Sequence, residues 1–185
     1  QWDQATVYRY NKAYQAVGSF NSNQKSMMQV WGESDEAAWY SANWQQGTVT
    51  RHEGKNNAMT WNFNTGTNAG GVAADDKQVY AMRDSSLTVW MLDKKTGKQI
   101  NTMALLGGTI GSIQGSLVVW GDKLYRGNPA GDVWRYDLNN GQHDGVNFKV
   151  TGSINNMSFN GQEYCISANS STVYCYDLFG STCPK

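Results

Sequence analysis

Val133-Trp-Arg-Tyr-Asp-Leu-Asn-Asn-Gly141 is the stretch on which the fold turns. It reads as a β-branched residue, an aromatic, any residue, a hydrophobic, then Asp and a turn ending in Gly. Alternation over four residues is the period of a strand with one buried face. The Asp…Gly segment supplies the side-chain acceptor and the positive φ that a tight turn needs. The pattern recurs as Val89-Trp-Met-Leu-Asp-Lys-Lys-Thr-Gly97 and as Val173-Tyr-Cys-Tyr-Asp-Leu-Phe-Gly180. Looser copies are Thr60-Trp-Asn-Phe-Asn-Thr-Gly66 and Val7-Tyr-Arg-Tyr-Asn-Lys12. The aromatic positions are Tyr8, Trp61, Trp90, Trp134 and Tyr174, spaced 53, 29, 44 and 40 residues apart.

The last two spacings match a repeat of about 40–45 residues, the length of one propeller blade. Each clear copy follows two other strand-like pieces. Gly71-Val-Ala-Ala and Gln78-Val-Tyr-Ala-Met-Arg precede the first. Ser116-Leu-Val-Val-Trp-Gly and Lys123-Leu-Tyr-Arg-Gly precede the second. Asn156-Met-Ser-Phe-Asn-Gly and Glu163-Tyr-Cys-Ile-Ser precede the third. A weaker strand follows, as in Lys98-Gln-Ile-Asn-Thr-Met. A four-stranded unit cannot bury both faces alone, so such units pack around an axis. The expected fold is all-β: a small β-propeller of four or five antiparallel four-stranded blades, one domain over residues 1–185. A β-sandwich is the alternative, because regular short strands read similarly. Met27–Ala38 is the one weak helix candidate. The N-terminal strand-like pieces within Ala5–Phe20 are expected to complete the last blade.

Composition narrows the function classes. Fifteen Lys+Arg balance 15 Asp+Glu, which excludes a nucleic-acid binder that works by displacing counterions with a basic excess. Charged residues are only 16% and aromatics 12%, the reverse of a disordered chain. No apolar run approaches the ~18–20 residues of a membrane-spanning helix. The chain starts at Gln1, consistent with a processed N-terminus or with a piece of a longer secreted protein.

Two stretches carry a family resemblance: Lys77-Gln-Val-Tyr-Ala-Met-Arg-Asp with Leu87-Thr-Val-Trp-Met-Leu-Asp-Lys-Lys-Thr-Gly-Lys98, and Asp122-Lys-Leu-Tyr-Arg-Gly-Asn-Pro-Ala-Gly-Asp-Val-Trp-Arg-Tyr-Asp-Leu138. They resemble blades of the quinoprotein-like (PQQ-like) propeller repeat, and the second is also similar to blades of type IV pilus tip adhesins. The resemblance covers about residues 71–180. It implies a propeller scaffold. Enzymatic members hold a quinone and a metal at the axis under a vicinal disulfide, and this chain has no adjacent cysteines.

Candidate chemistry is sparse. His52 and His143 have no nucleophile elbow near them, and a surface role is expected for both. Glu33, Asp35 and Glu36, and Asp75 with Asp76, are expected to be solvated loop charges rather than a glycosidase pair. Asp137–Asp144 is oxygen-rich, which leaves calcium open, but the loop lacks the EF-hand spacing. Asp93, Asp137 and Asp177 share one repeat position and are expected to cap turns. Cys165, Cys175 and Cys183 lack zinc-ligand spacing. Cys165 and Cys175 are expected to face each other across a hairpin and form a disulfide, with Cys183 as the alternative partner.

Trp61, Trp90 and Trp134 read as packing between blades. Trp2, Trp31, Trp39, Trp44 and Trp120 fall outside the repeat. The densest aromatic and amide cluster is Trp39-Tyr-Ser-Ala-Asn-Trp44. Aromatic faces stack on sugars or anchor interfaces, and amides and guanidinium supply directional hydrogen bonds. Trp31, Trp39, Tyr40, Asn43, Trp44, Arg51 and His52 are therefore the candidate ligand-binding residues. The expected function is a non-enzymatic, secreted or cell-surface recognition domain of adhesin or receptor-binding type, with a glycan or cell-surface receptor as partner and no cofactor. The alternative is a protein–protein scaffold of an envelope assembly, completed by a parent protein or a partner subunit. A glycosidase or a quinone-dependent enzyme ranks below both.

Overall fold

In the computed structural model, residues 6–10, 15–22, 24, 26–33, 37–109, 111–113, 115–159, 163–168 and 172–177 are described. Trp2, Asp35, Glu36 and Cys183 lie outside them. The chain opens with a hairpin of β1 (Thr6–Tyr10) and β2 (Ala16–Asn21). Blade 1 is β3 (Met27–Gly32), β4 (Ala38–Asn43), β5 (Thr48–Glu53) and β6 (Met59–Asn64). Blade 2 is β7 (Ala69–Ala74), β8 (Gln78–Arg83), β9 (Thr88–Asp93) and β10 (Gln99–Ala104). Blade 3 is β11 (Leu117–Trp120), β12 (Lys123–Gly127), β13 (Asp132–Asp137) and β14 (His143–Lys149). Blade 4 has three described strands, β15 (Ile154–Phe159), β16 (Tyr164–Ala168) and β17 (Thr172–Tyr176). Each sheet is an antiparallel meander in chain order. The first strands β3, β7, β11 and β15 touch in sequence and β15 meets β3, which closes a four-bladed propeller.

Apolar packing follows the pleat. Tyr40, Ala42 and Val49 meet Val72, Val79 and Leu92 between blades 1 and 2. Tyr80, Met82 and Val89 meet Leu117, Leu124 and Tyr136 between blades 2 and 3. Val118, Tyr125 and Val133 meet Ile154, Met157 and Ile166 between blades 3 and 4. Blade 4 meets blade 1 differently. There Gln29 of β3, 2% exposed, donates through Nε2 to the carbonyls of Leu117 (2.7 Å) and Met157 (3.2 Å). Its Oε1 accepts from the Val72 amide at 3.0 Å. One amide group thus ties all four innermost strands together. Asn156 Nδ2 adds a bond to the Met28 carbonyl at 3.1 Å.

Several expectations change. The described residues of Met27–Ala38 hold strand rather than helix, β3 and the first residue of β4, because the pairing of Trp31 with Tyr40 and of Gly32 with Trp39 satisfies the backbone across strands. Among the described residues β1 pairs with β2, not with blade 4. Trp61 lies on β6, the fourth strand of its blade, not on a third strand. The third strand of blade 1 is β5, and Val49-Thr-Arg-His-Glu53 stands where the other blades have Val-aromatic-x-hydrophobic-Asp. On that alignment Val7, Val49, Val89, Val133 and Val173 fall 42, 40, 44 and 40 residues apart. The irregular spacing came from taking Trp61 in place of Thr50.

The turns at Asp93 and Asp137 behave as read, and the turn after Asp177 lies outside the described residues. Asp93 Oδ1 accepts from the Lys95 and Thr96 amides and the Thr96 hydroxyl at 2.8–3.1 Å. Asp137 Oδ1 accepts from the Asn139 amide at 2.8 Å. Gly97 is required twice over. Its φ is +68°, and a Cβ there would lie 2.6 Å from the Trp61 ring. Cys165 and Cys175 are direct register partners on β16 and β17, and the structure holds both as thiols.

Candidate functional site

The strand register sorts the seven candidate residues. Trp31, Trp39, Tyr40, Arg51 and His52 lie at one rim, where Trp31 pairs with Tyr40, Tyr40 with Arg51, and Trp39 with His52. Asn43 sits at the opposite rim, opposite Thr48, and Trp44 begins the following turn. The pleat then divides the rim group between the two faces of the blade.

Tyr40 and Arg51 face blade 2. The Tyr40 hydroxyl donates to Glu33 Oε1, and Lys94 Nζ pairs with the same oxygen at 3.0 Å. Lys94 also donates to the Asp75 carbonyl at 2.8 Å, and the Trp61 indole donates to the Lys94 carbonyl at 2.9 Å. Burial first, and then the Glu33 carboxylate, push the Tyr40 phenol well above its usual range. Arg51 donates to Glu53 (2.7 Å) and to Thr60 (3.0 Å). This is a polar clasp across the seam of blades 1 and 2.

Trp39, His52 and Asn43 face the other way, toward blade 4 and the N-terminal hairpin. The Trp39 and His52 rings stack at 3.8 Å and 5°, and Phe20 of β2 packs on Trp39 at 5.2 Å. A hydrogen-bonded ladder runs beneath them. Ser41 Oγ and Thr50 Oγ1 are 2.7 Å apart, and Thr50 Oγ1 lies 3.0 Å from His52 Nε2. His52 Nδ1 reaches the Asn57 carbonyl at 3.2 Å. A carbonyl only accepts, so Nδ1 carries the proton and Nε2 accepts from Thr50. Asn43 Nδ2 donates to Thr48 (3.2 Å) and Thr50 (3.3 Å). Burial holds His52 below the usual histidine range, and the bond to Asn57 only partly opposes it. His52 is 1% exposed. The expected surface role is therefore corrected to a buried, neutral ring that joins two strands.

As folded, Trp39, Tyr40, Asn43 and His52 are buried, and Trp31 is half-buried. Trp31 packs against all three apolar clusters, which places its ring at the axis. An exposed aromatic surface lies elsewhere. Trp120, at the end of β11, is 44% exposed and packs on Phe159, at the end of β15, at 4.7 Å. β3, β11 and β15 are all first strands, so Trp31, Trp120 and Phe159 mark the same end of the innermost ring. Trp120 was legible only as an aromatic closing an apolar strand before a Gly-Asp turn.

Asp75, Asp137 and Asp144 are engaged, and Glu33 and Asp75 are bonded into the blades rather than solvated as expected, whereas Asp76 is exposed. Asp75 takes the Lys77 and Gln78 amides and the Tyr80 hydroxyl at 2.7–2.8 Å. Asp137 bonds Lys123, and Asp144 bonds Arg135, both at 2.7 Å. His143 is exposed and meets the edge of Trp134 at 5.3 Å. Arg126, which the sequence did not single out, is fully buried. It donates to the carbonyls of Thr109 (3.0 Å) and Gly111 and so pins the segment between blades 2 and 3.

The PQQ_2 family model, described as outer membrane protein assembly factor BamB, matches residues 37–181. The chain belongs to this family. The match begins just before β4 and takes in blades 2–4. Among solved structures, BamB from Moraxella catarrhalis aligns with a TM-score of 0.58 at 14% identity, over 96% of this chain and 57% of that one. The computationally designed Ika4 protein aligns with a TM-score of 0.58 at 15% identity, over 83% of this chain and 92% of that one. At such identities the likeness is one of fold. The chain thus spans little more than half of the BamB structure and nearly all of the designed one. Among curated proteins none matches.

Proposed function

We propose that this propeller is a non-catalytic protein–protein scaffold of the cell envelope, and that its partner docks on the axial rim at Trp120 and Phe159. The observation that carries the reading is the exposed Trp120, packed on half-buried Phe159, at the mouth of a PQQ_2-family ring. Large aromatics held rigid by packing are the usual anchors of protein interfaces. The glycan-binding reading has less support, because the aromatic faces it needs on Trp39 and Tyr40 are turned into blade seams. The residues around those faces bond to one another.

A photo-crosslinking side chain at position 120 tests this. Incubated with an envelope fraction, it is expected to capture a discrete protein, and the same group at Asn139, on the turn between β13 and β14, is not. Trp120→Ala is expected to abolish capture of that protein by a crosslinker at 159. A selective glycan-array hit that depends on Trp120 would instead restore the lectin-like reading. Absence of a protein adduct at both positions would remove the scaffold reading.

A further inference from the structure

The innermost ring is electrically lopsided, although the chain as a whole is neutral. Its four strands β3, β7, β11 and β15 all run the same way, so each enters at one mouth and leaves at the other. The segments that lead into them are uncharged among the described residues: Thr65–Asn68 before β7, 105–116 before β11, and Val150–Ser153 before β15. The turns that leave them are acidic. Among the described residues they carry Glu33 after β3, Asp75 and Asp76 after β7, Asp122 after β11 and Glu163 after β15, against one base, Lys77. Trp120 is the last residue of β11 and therefore stands at the acidic mouth.

The charges at that mouth are unequally spent. Glu33 is taken by Lys94 and Tyr40 in the seam of blades 1 and 2. Asp75 is bonded to amides and to the Tyr80 hydroxyl, which orient its carboxylate without cancelling its charge. Asp76 is exposed. The Asp122 side chain is 65% exposed, and its basic neighbour Lys123 lies 3.4 Å away. Lys123 is also the cross-strand partner of Trp120, and it is held more closely by Asp137, at 2.7 Å. Two carboxylates thus share one ammonium beside the tryptophan, and that group keeps a net negative charge. The Trp120 ring is fixed against Phe159 and 44% exposed. Among the described residues no three acidic, histidine or cysteine side chains converge as metal ligands do.

We propose that the partner enters this mouth with a basic segment, whose Arg or Lys side chain lies over the Trp120 ring between the carboxylates of Asp122 and Asp76. This rests on the scaffold reading and adds the chemistry of the partner. The face of an indole carries negative charge density and attracts a cation. Flanking carboxylates strengthen that attraction and repel an acidic or phosphorylated segment. Arginine suits the site better than lysine, because its planar guanidinium can stack on the ring and bond a carboxylate at its edge at the same time.

A defined probe tests this apart from any envelope partner. The peptide Gly-Ser-Arg-Gly-Arg-Ser-Gly is titrated into the full chain while the indole N–H signal of Trp120 is followed by NMR, assigned by its loss in Trp120→Phe. A saturable shift is expected, weakened several-fold when NaCl is raised from about 50 to about 300 mM. Asp122→Asn and Asp76→Asn, both at exposed turns, are each expected to weaken binding about two- to threefold, and Trp120→Leu about fivefold. The same peptide with Glu in place of Arg should leave the signal unmoved. Lys55→Gln, in the turn between β5 and β6, should bind as the wild type does. Four outcomes overturn the proposal: no shift at millimolar arginine peptide, an equal shift with the glutamate peptide, unchanged binding in the Asp76→Asn, Asp122→Asn double variant, or a shift produced by raising the protein concentration alone, which would seat a second copy of the chain there. Salt-indifferent protein capture at position 120 with no response to the arginine peptide would remove this inference and leave the scaffold standing. Arginine binding with no protein adduct would support the chemistry of the mouth and remove the scaffold.

Discussion

The seam between blades 2 and 3 and the seam between blades 4 and 1 join the same kind of sheet by different means. The first is apolar, with Tyr80, Met82 and Val89 against Leu117, Leu124 and Tyr136. The second rests on the Gln29 amide, the Asn156 amide and Trp31, and the face of blade 1 turned toward it bears Ser41, Asn43, Thr50 and His52. The cause is local. At the two inward positions of the third strand, blade 3 has Trp134 and Tyr136, and blade 1 has Thr50 and His52. Two substitutions in one repeat turn a packed face into a hydrogen-bonded one. Apolar burial is non-directional and stabilises in proportion to area. A buried polar ladder adds little net stability but is costly when one member is left unsatisfied. The ring is therefore strong at three seams and specific at the fourth.

The sharpest contrast comes from truncating one residue at each kind of seam. Leu124→Ala empties a fully buried site in the cluster of blades 2 and 3. It is expected to cost about 3–5 kcal/mol in denaturant unfolding, from lost transfer energy plus the cavity. Gln29→Leu keeps similar bulk but strands the Val72 amide and the Leu117 and Met157 carbonyls. A loss of about 2–3 kcal/mol is expected. If it costs as little as an exposed change, the axis is solvated and the amide is not the tie described above.

A smaller effect separates the seams by pH. The His52 pKa is held below its unfolded value of about 6.5 by burial. The unfolded chain then binds more protons in the window between the two values. The contribution of neutral His52 is complete above about pH 6.5 and is lost as pH falls through that window. Its slope is bounded by one proton, about 1.4 kcal/mol per pH unit. Protonation would also place a donor at Nε2 against the Thr50 hydroxyl. Unfolding midpoints of wild type and His52→Asn are expected to diverge in slope between pH 5 and 7. Parallel curves would show that the ring is reached by water. The smallest change is expected for Ser41→Ala, at about 0.5–1 kcal/mol, because Thr50 keeps Asn43 and His52 as partners. A loss as large as that of Leu124→Ala would erase the distinction between the seams.

The all-β class, the blade-length repeat, the Asp-capped turns at Asp93 and Asp137 and the Cys165–Cys175 register all follow from short-range chemistry. They depend on residues within one hairpin: an alternating pattern, an acceptor two or three residues before an amide, and a Gly with positive φ. That is why they could be read from the chain. The candidate site was only partly legible. Sequence placed Trp39, Tyr40, Arg51 and His52 close together, and the register agrees. It did not reveal which faces they take, because a pleat sends neighbours to opposite sides and only the adjacent sheets decide which side is covered. Gln29 carries no local signature at all, since its three partners lie 43, 88 and 128 residues away. The identity of β5 as a third strand was hidden because Thr50 and His52 replace the aromatic and hydrophobic residues of the motif, so the repeat survives there only as a distance along the chain. The sequence alone determined the repeating strand-and-turn unit, because each turn is specified by its own residues. The tertiary structure alone decided how the units close, which aromatics are buried and which face of blade 1 meets blade 4, because those are properties of contacts between blades.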